Sequence, residues 1–318
     1  MRVLITGAAG MLGRKLTARL TSAGVLAGGP IDQLDLADIA AIADEVGHRT
    51  IEVDLAEPGA AERIAASGYD VVFHLAGVVS GEAEADLTKG YRVNLDGTRR
   101  LFDALAAADA IPRVVFTSSI AVFGAPFPDI IPDDFHLTPL TSYGTQKAMG
   151  EGLLADYSRR GLIDGIGIRL PTITVRPGSP NAAASGFFSG IVREPLAGTA
   201  ATLPVPRSVR HPHASPRTAV DYLIHAAELD TAAVGPRRNL TMPSLSVTVQ
   251  EQIDALERVA GPAAVDLIEE SPDPAVATIV SGWPERFATD RADALGFRCE
   301  RTYDEIIACY LEDDRPRS

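Results

Sequence analysis

Tyr143 and Lys147 stand four residues apart at the start of a stretch, 142–160, whose pattern predicts a helix, so the two side chains share one face. A free phenol titrates at about 10, too high for a base at neutral pH. An ammonium about 4 Å away, at an effective dielectric of about 20, favours the phenolate by roughly 4 kcal/mol, or about three pKa units. The pair offers a tyrosine base activated by a lysine, which suits proton transfer from an alcohol. The same spacing also occurs by chance on amphipathic helix surfaces, so the reading depends on what accompanies it.

A second cluster, Gly7-Ala8-Ala9-Gly10-Met11-Leu12-Gly13, follows the run Val3-Leu4-Ile5 and leads into a helical stretch at 12–22. In a strand, turn and helix of this kind Gly7 permits the tight turn and Gly10 lets backbone approach a pyrophosphate. Gly13 lets the helix pack closely on the strand. The helix then faces the phosphates with unpaired N–H groups. The second strand ends at Asp38, about 25 residues beyond Gly13, near the roughly 20-residue spacing at which a carboxylate receives the ribose diol of a dinucleotide. Asp35 competes with it, because a short error in the strand end exchanges the two. A carboxylate there repels a 2′-phosphate and no Arg follows Asp38, so NAD is favoured over NADP.

The elements that must position these groups alternate. Apolar, largely β-branched runs at 3–5, 34–36, 50–53, 71–73, 114–116 and 165–168 are separated by helical stretches at 12–22, 57–66, 84–108 and 142–160. Such alternation predicts an α/β fold, a doubly wound parallel (Rossmann) sheet covered on both faces. After Arg169 eight prolines fall within about 45 residues, from Pro171 to Pro216, which is no text for a continuous sheet core. Helical periodicity resumes at 219–229, and Arg238-Asn239-Leu240-Thr241 reads as a strand. The expected division is therefore a dinucleotide-binding domain over 1–170 and a smaller, discontinuous C-terminal substrate lobe over 171–318. The stretch 218–243 is expected to return to the first domain.

At 318 residues with 46% apolar side chains the chain can bury a sizeable core. Its net charge of −13 repels polyanions, and no basic patch offsets it, so neither nucleic acid nor an anionic membrane is an expected partner. The two cysteines, Cys299 and Cys309, have no spacing for a metal site or a disulfide framework. Met1 is followed at once by a strand pattern, and no run of about 18 apolar residues occurs. A cytoplasmic protein without a metal is the expectation.

Taken together, the chain resembles the extended short-chain dehydrogenase/reductase superfamily. The residues that carry the resemblance are the glycine pattern, Asp54-Leu55, His74-Leu75-Ala76-Gly77, Asn94 within Val93 to Thr98, Thr117-Ser118-Ser119, and Tyr143 with Lys147. The resemblance implies NAD as cofactor, bound by Gly7, Gly10, Met11, Leu12, Gly13, Asp38, Asp54, Leu55, Leu75, Ala76, Gly77, Asn94, Tyr143, Lys147 and Pro171. It implies a catalytic set of Ser119, Tyr143 and Lys147, with Ser118 or Thr117 as alternative registers for the residue that holds the reacting hydroxyl. His74, at the end of an apolar strand, is read as a packed, hydrogen-bonded histidine. A homodimer is the implied assembly.

Within the superfamily, Met1 to Leu16, Arg169 to Gly178, Gly186 to Leu196 and Arg210 to Arg217 resemble dehydrogenases that oxidise the C2 hydroxyl of a four-carbon sugar acid. Thr172 and Arg217 depart from nucleotide-sugar epimerases, which usually carry Asn and an acidic residue there. A sugar-acid substrate needs a carboxylate partner, and arginine suits it. Arg210 is the first choice by the resemblance, ahead of Arg217, Arg193 and Arg176. Ser80, Ser119, Tyr143, Asn181 and Ser185 are the further substrate contacts it implies.

Overall fold

The computed structural model describes residues 1–43, 46–178 and 185–315. Seven parallel strands form the central sheet: β1 (Arg2–Thr6), β2 (Gln33–Asp38), β3 (Arg49–Glu52), β4 (Val71–His74), β5 (Arg113–Ser119), β6 (Asp164–Leu170) and β7 (Asn239–Thr241). Their order is 3-2-1-4-5-6-7. After β1 the chain builds outward through β2 and β3, then crosses to β4 on the other side. A crevice is left at that reversal, beyond the carboxyl ends of β1 and β4, where ligands of such sheets bind.

The strands are apolar on both faces because both are covered. Val3 and Ile5 face a core with Leu16, Leu20 and Leu223, supplied by α1 (Met11–Ala23) and the helix over 216–228. Leu4, between them, enters the opposite core with Val72, Phe102, Phe116 and Leu154, as the two-residue period of a strand requires. That second core is roofed by α2 (Thr98–Ala106) and α3 (Ser142–Arg159).

One expected helix is different. The stretch 84–108 is broken into Ser80–Ala85, Leu87–Gly90, a π-helical turn over Tyr91–Gly97, and α2. Asp86 is the cause of the first break, since its carboxylate accepts from the Lys89 amide and starts a new helix there. The wide turn that follows places Asn94 inward, and such turns gather at functional sites.

Beyond β6 the proline-rich segment carries more regular structure than its composition predicts: α4 (Gly186–Leu196) and strands over 172–173, 201–203 and 210–214. Pro212 sits inside the strand Arg210–Ala214, opposite Ser246, at a position where the parallel neighbour Thr172–Ile173 does not reach. Its missing N–H therefore breaks no ladder. A separate core gathers Val175, Phe188, Ile191, Leu203, Ile253, Leu256, Ile306 and Ile307, the last five lying on or beside that strand set, α6 (Val249–Ala260) and α7 (Tyr303–Asp313). Between these two helices and the segment before them the chain returns to the sheet. There α5 (Pro216–Glu228) packs on its face and β7 pairs with Gly167–Arg169 of β6.

Candidate active site

Two chambers meet along the carboxyl ends of the strands and share Gly7, Gly10, Leu75, Gly77 and Val78. The backbone of the glycine turn divides them. Gly7 has φ of +75°, and a Cβ there would stand 2.7 Å from the Ala76 nitrogen; a Cβ on Gly13 would stand 2.3 Å from the Gly7 carbonyl oxygen. Neither contact is possible, so any side chain at either position would push the turn out of its cradle. Gly10 caps α1 without any side chain to occupy the free amides of its first turn. Backbone donors and a helix dipole thus converge on open space, which fits a pyrophosphate.

On the far side of the turn Asp38 closes β2. Its carboxylate accepts from the Ala9 amide at 2.9 Å and the Ala40 amide at 3.0 Å, and it lines the first chamber. Asp35, its competitor, is fully buried and engaged by Tyr69, Gln33 and Arg49. The ambiguity between them is resolved by the strand end: only Asp38 reaches the cavity. Asp54, Leu55, Leu75, Ala76 and Gly77 line the same chamber. The Asp54 carboxylate is already held by Arg92 at 2.6 Å and the Ala56 amide at 2.9 Å. Asn94 lies beneath the loop: it accepts from the Val78 amide and donates to the Val78 carbonyl and to Gln146.

Met11, Leu12, Gly13, Ser80, Ser119, Tyr143, Lys147, Pro171 and Ser185 all line the second chamber. Hydrogen bonding sets the members of the serine run apart. Ser118 donates to Glu151 at 2.6 Å, and Glu151 is clamped by Arg169 through two more bonds of 2.9 and 2.8 Å. Thr117 donates to the His74 carbonyl. Ser119, whose hydroxyl accepts from the Ala121 amide at 3.1 Å, is the member without such a buried partner, and it lines the chamber with Tyr143. His74 is packed as expected, with Thr6 and Thr98 on its two ring nitrogens and burial holding its pKa down at about 3.

The electrostatics differ from the sequence-based expectation in one respect. Burial pushes the Tyr143 phenol up to about 12, with the nearby Ser119 hydroxyl acting the other way. Lys147 does not bring it down here. Its ammonium donates to the Thr117 carbonyl at 2.8 Å and lies 5.7 Å from the centre of the Tyr143 ring. Burial also lowers Lys147 itself to about 8, since a charge withdrawn from water is the disfavoured form.

Arg210 is not at the site. Its guanidinium donates to the Ser246 carbonyl at 2.8 Å and pairs with Glu251 at 3.1 Å, and it lines neither chamber. The reason is the side of the strand it occupies: it stands opposite Thr248, the residue that caps α6. Arg217 is bound by Glu312 and Asp313, and Arg193 by Glu194 and the Arg176 carbonyl. Arg176, ranked last from sequence, is the one that lines the catalytic chamber. It donates to Ser185 at 2.7 Å and has no ion-pair partner among the described residues. Burial and the nearby Arg193 both lower its pKa. Asn181 lies outside the described residues.

Sequence reasoning passed over Thr172 and Ile173, which line the chamber beside Pro171, and Gln146, which holds Asn94. A usable signal was present for the first two. They follow the last residue of β6, and residues just past the carboxyl end of a strand in a doubly wound sheet face the ligand crevice.

The NAD dependent epimerase/dehydratase family matches residues 3–235. A protein named D-erythronate dehydrogenase from Cupriavidus necator is 47% identical, with 98% of each chain covered. One of the same name from Haemophilus influenzae is 38% identical over 99% of this chain and 100% of its own length. A crystal structure described as a nucleoside-diphosphate-sugar epimerase from Agrobacterium tumefaciens is 57% identical, with a TM-score of 0.95 over 98% of this chain and 94% of that one. Among the described residues no helix is long and apolar enough to cross a membrane. The glycine cradle, the carboxylate at the end of β2 and the family match agree, and the chain belongs to the NAD-dependent epimerase/dehydratase family as an NAD-dependent dehydrogenase.

Proposed function

We propose that this enzyme oxidises the C2 hydroxyl of a small sugar acid to the 2-oxo acid, with D-erythronate as the first substrate to test. One observation carries the reading: the chamber that holds Ser119, Tyr143 and Lys147 also holds Arg176, a half-buried guanidinium with Ser185 as a side-chain partner and no carboxylate among the described residues. A cation partly withdrawn from water is disfavoured without a counter-charge, and a substrate carboxylate would complete it bidentately. The names of the two relatives aligned over nearly the full chain support the same substrate class.

In the proposed mechanism Ser119 donates a hydrogen bond that fixes the C2 oxygen, and Tyr143 as phenolate removes the proton from that oxygen. The C2–H bond breaks with its electron pair, the C2–O bond becomes a carbonyl, and the proton passes from Tyr143 to solvent. When bound, NAD would supply the hydride acceptor. Lys147, protonated below about 8, supplies a positive charge to the chamber and stays anchored by the Thr117 carbonyl. Asp38 would receive the ribose diol, and the first turn of α1 would meet the pyrophosphate.

The 57% identical structure described as an epimerase favours a second reading, transient oxidation of a nucleotide sugar. Such a substrate would bring a diphosphate to Arg176. NADH formation against four- and five-carbon aldonic acids, alongside conversion of nucleotide sugars, separates the two. Turnover of a nucleotide sugar with no aldonic acid oxidised would replace the dehydrogenase reading.

A further inference from the structure

Arg176 follows a short strand over 172–173 and brings a guanidinium to the catalytic chamber. An arginine side chain turns about several single bonds, and one left free to swing loses that freedom each time it meets an anion. What restrains this one is α4. The Arg176 amide donates to the Ser189 hydroxyl at 3.0 Å, the Arg176 carbonyl accepts from Nη1 of Arg193 at 2.8 Å, and Nη2 of Arg176 donates to the Ser185 hydroxyl at 2.7 Å. Backbone and tip are both held, and by one element.

The three partners share a spacing. Ser185, Ser189 and Arg193 stand four residues apart in turn, which sets them in one stripe along the helix. Another side of α4 buries Phe188, Ile191 and Val192 in the core that also holds Val175 and Ile253, so the stripe is backed by packing. Ser185 stands at the start of α4, yet its hydroxyl makes no capping bond there and accepts from Arg176 instead. Ser189 is 1% exposed and Arg193 8%, and polar groups so deeply buried are retained where they are bonded. Arg193 lines neither chamber, and its own charge is answered by Glu194.

We infer that Arg193 and Ser189 are positioning residues that hold Arg176 in place for the substrate carboxylate. This rests on the sugar-acid reading and deepens it. Arg193, one of the arginines considered from sequence for the anion itself, then acts on the carboxylate only through Arg176. The two residues serve recognition of the charge and not the hydride transfer, so their loss falls on binding of the acid. An uncharged analogue of the same shape is spared.

The test compares the KM for the methyl ester of erythronate with that for D-erythronate, in wild type, Arg176→Ala, Arg193→Ala, Ser189→Ala and the double variant Arg176→Ala/Arg193→Ala. In wild type the ester has the higher KM by at least about tenfold, and in Arg176→Ala the two values come close together. In Arg193→Ala and in Ser189→Ala the ratio falls by about 3- to 10-fold, because the KM for the acid rises while that for the ester and the affinity for NAD stay near wild type. The double variant shows the same ratio and the same KM for the acid as Arg176→Ala, since a residue that acts through Arg176 has nothing left to position. A defect of folding alone would raise both KM values together and leave the ratio unchanged, and an unchanged ratio in either folded single variant overturns the inference. A further rise of the KM for the acid in the double variant also overturns it, because Arg193 would then meet the carboxylate itself. Should Arg193→Ala fail to fold, Ser189→Ala decides alone. If Arg176→Ala abolishes the preference for the acid and the α4 variants do not weaken it, only this inference falls; if wild type has no such preference, or Arg176→Ala keeps it, the anion site proposed at Arg176 falls and takes this with it.

Discussion

The two chambers of the trough are built by opposite means. The cofactor side is made largely of backbone: a glycine turn, the amides of α1 and the loop Leu75 to Gly77, with the Asp38 carboxylate at a strand end. The substrate side is made of side chains, Ser80, Ser119, Tyr143, Thr172, Arg176 and Ser185, drawn from segments far apart in the chain. A backbone cradle is written by residues in one short run. A side-chain cavity is written by positions whose meeting depends on the whole fold.

That contrast sets what could be read from sequence. The glycines and the strand order follow from local period and turn chemistry, and Asp38 was ambiguous with Asp35 only through the strand end. The arginine that lines the second chamber is not the one the sequence put first, for a different reason. Arg176 and Arg210 are both arginines in proline-rich text, and what separates them is Glu251, which reaches Arg210 from the α6 cap, a long-range contact with no local trace. Likewise the split of the 84–108 helix turns on the Asp86 cap, a signal present in the sequence, whereas the inward turn of Asn94 depends on Gln146 across the packing interface.

The contrast can be broken from either side, and the largest effect is expected where the sides meet. Tyr143→Phe removes the proton-transferring oxygen and keeps the ring, so kcat should fall by about 100- to 10,000-fold while NAD titration shows binding retained. Near-normal turnover would remove Tyr143 from the mechanism. On the cofactor side, Gly13→Val puts atoms where the Gly7 carbonyl already stands, and NAD affinity should fall below detection by calorimetry. Retained affinity, in a variant whose circular dichroism matches wild type, would mean that the turn is not the phosphate cradle.

On the substrate side, Arg176→Ala should raise the KM for a sugar acid by about 10- to 100-fold, the loss of a charge-assisted hydrogen bond, and leave NAD affinity alone. Arg210→Ala should leave that KM at the wild-type value, because Arg210 is engaged by Ser246 and Glu251 away from both chambers. The reverse pattern would return the anion site to Arg210. The smallest change is expected at the ribose: Asp38→Ala should cut the preference for NAD over NADP by about tenfold, roughly the 1.4 kcal/mol of one repelled or lost contact. An unchanged preference would separate Asp38 from cofactor choice.

The account rests most heavily on a sugar-acid carboxylate entering the chamber that holds Tyr143, and one assay addresses it directly. The purified protein is incubated with NAD and D-erythronate, or with the methyl ester of erythronate, and NADH absorbance is followed. Rapid NADH formation from D-erythronate with a KM for the ester higher by at least about tenfold is the expected result. No NADH from D-erythronate or any other aldonic acid, or an ester oxidised as readily as the acid, would contradict it.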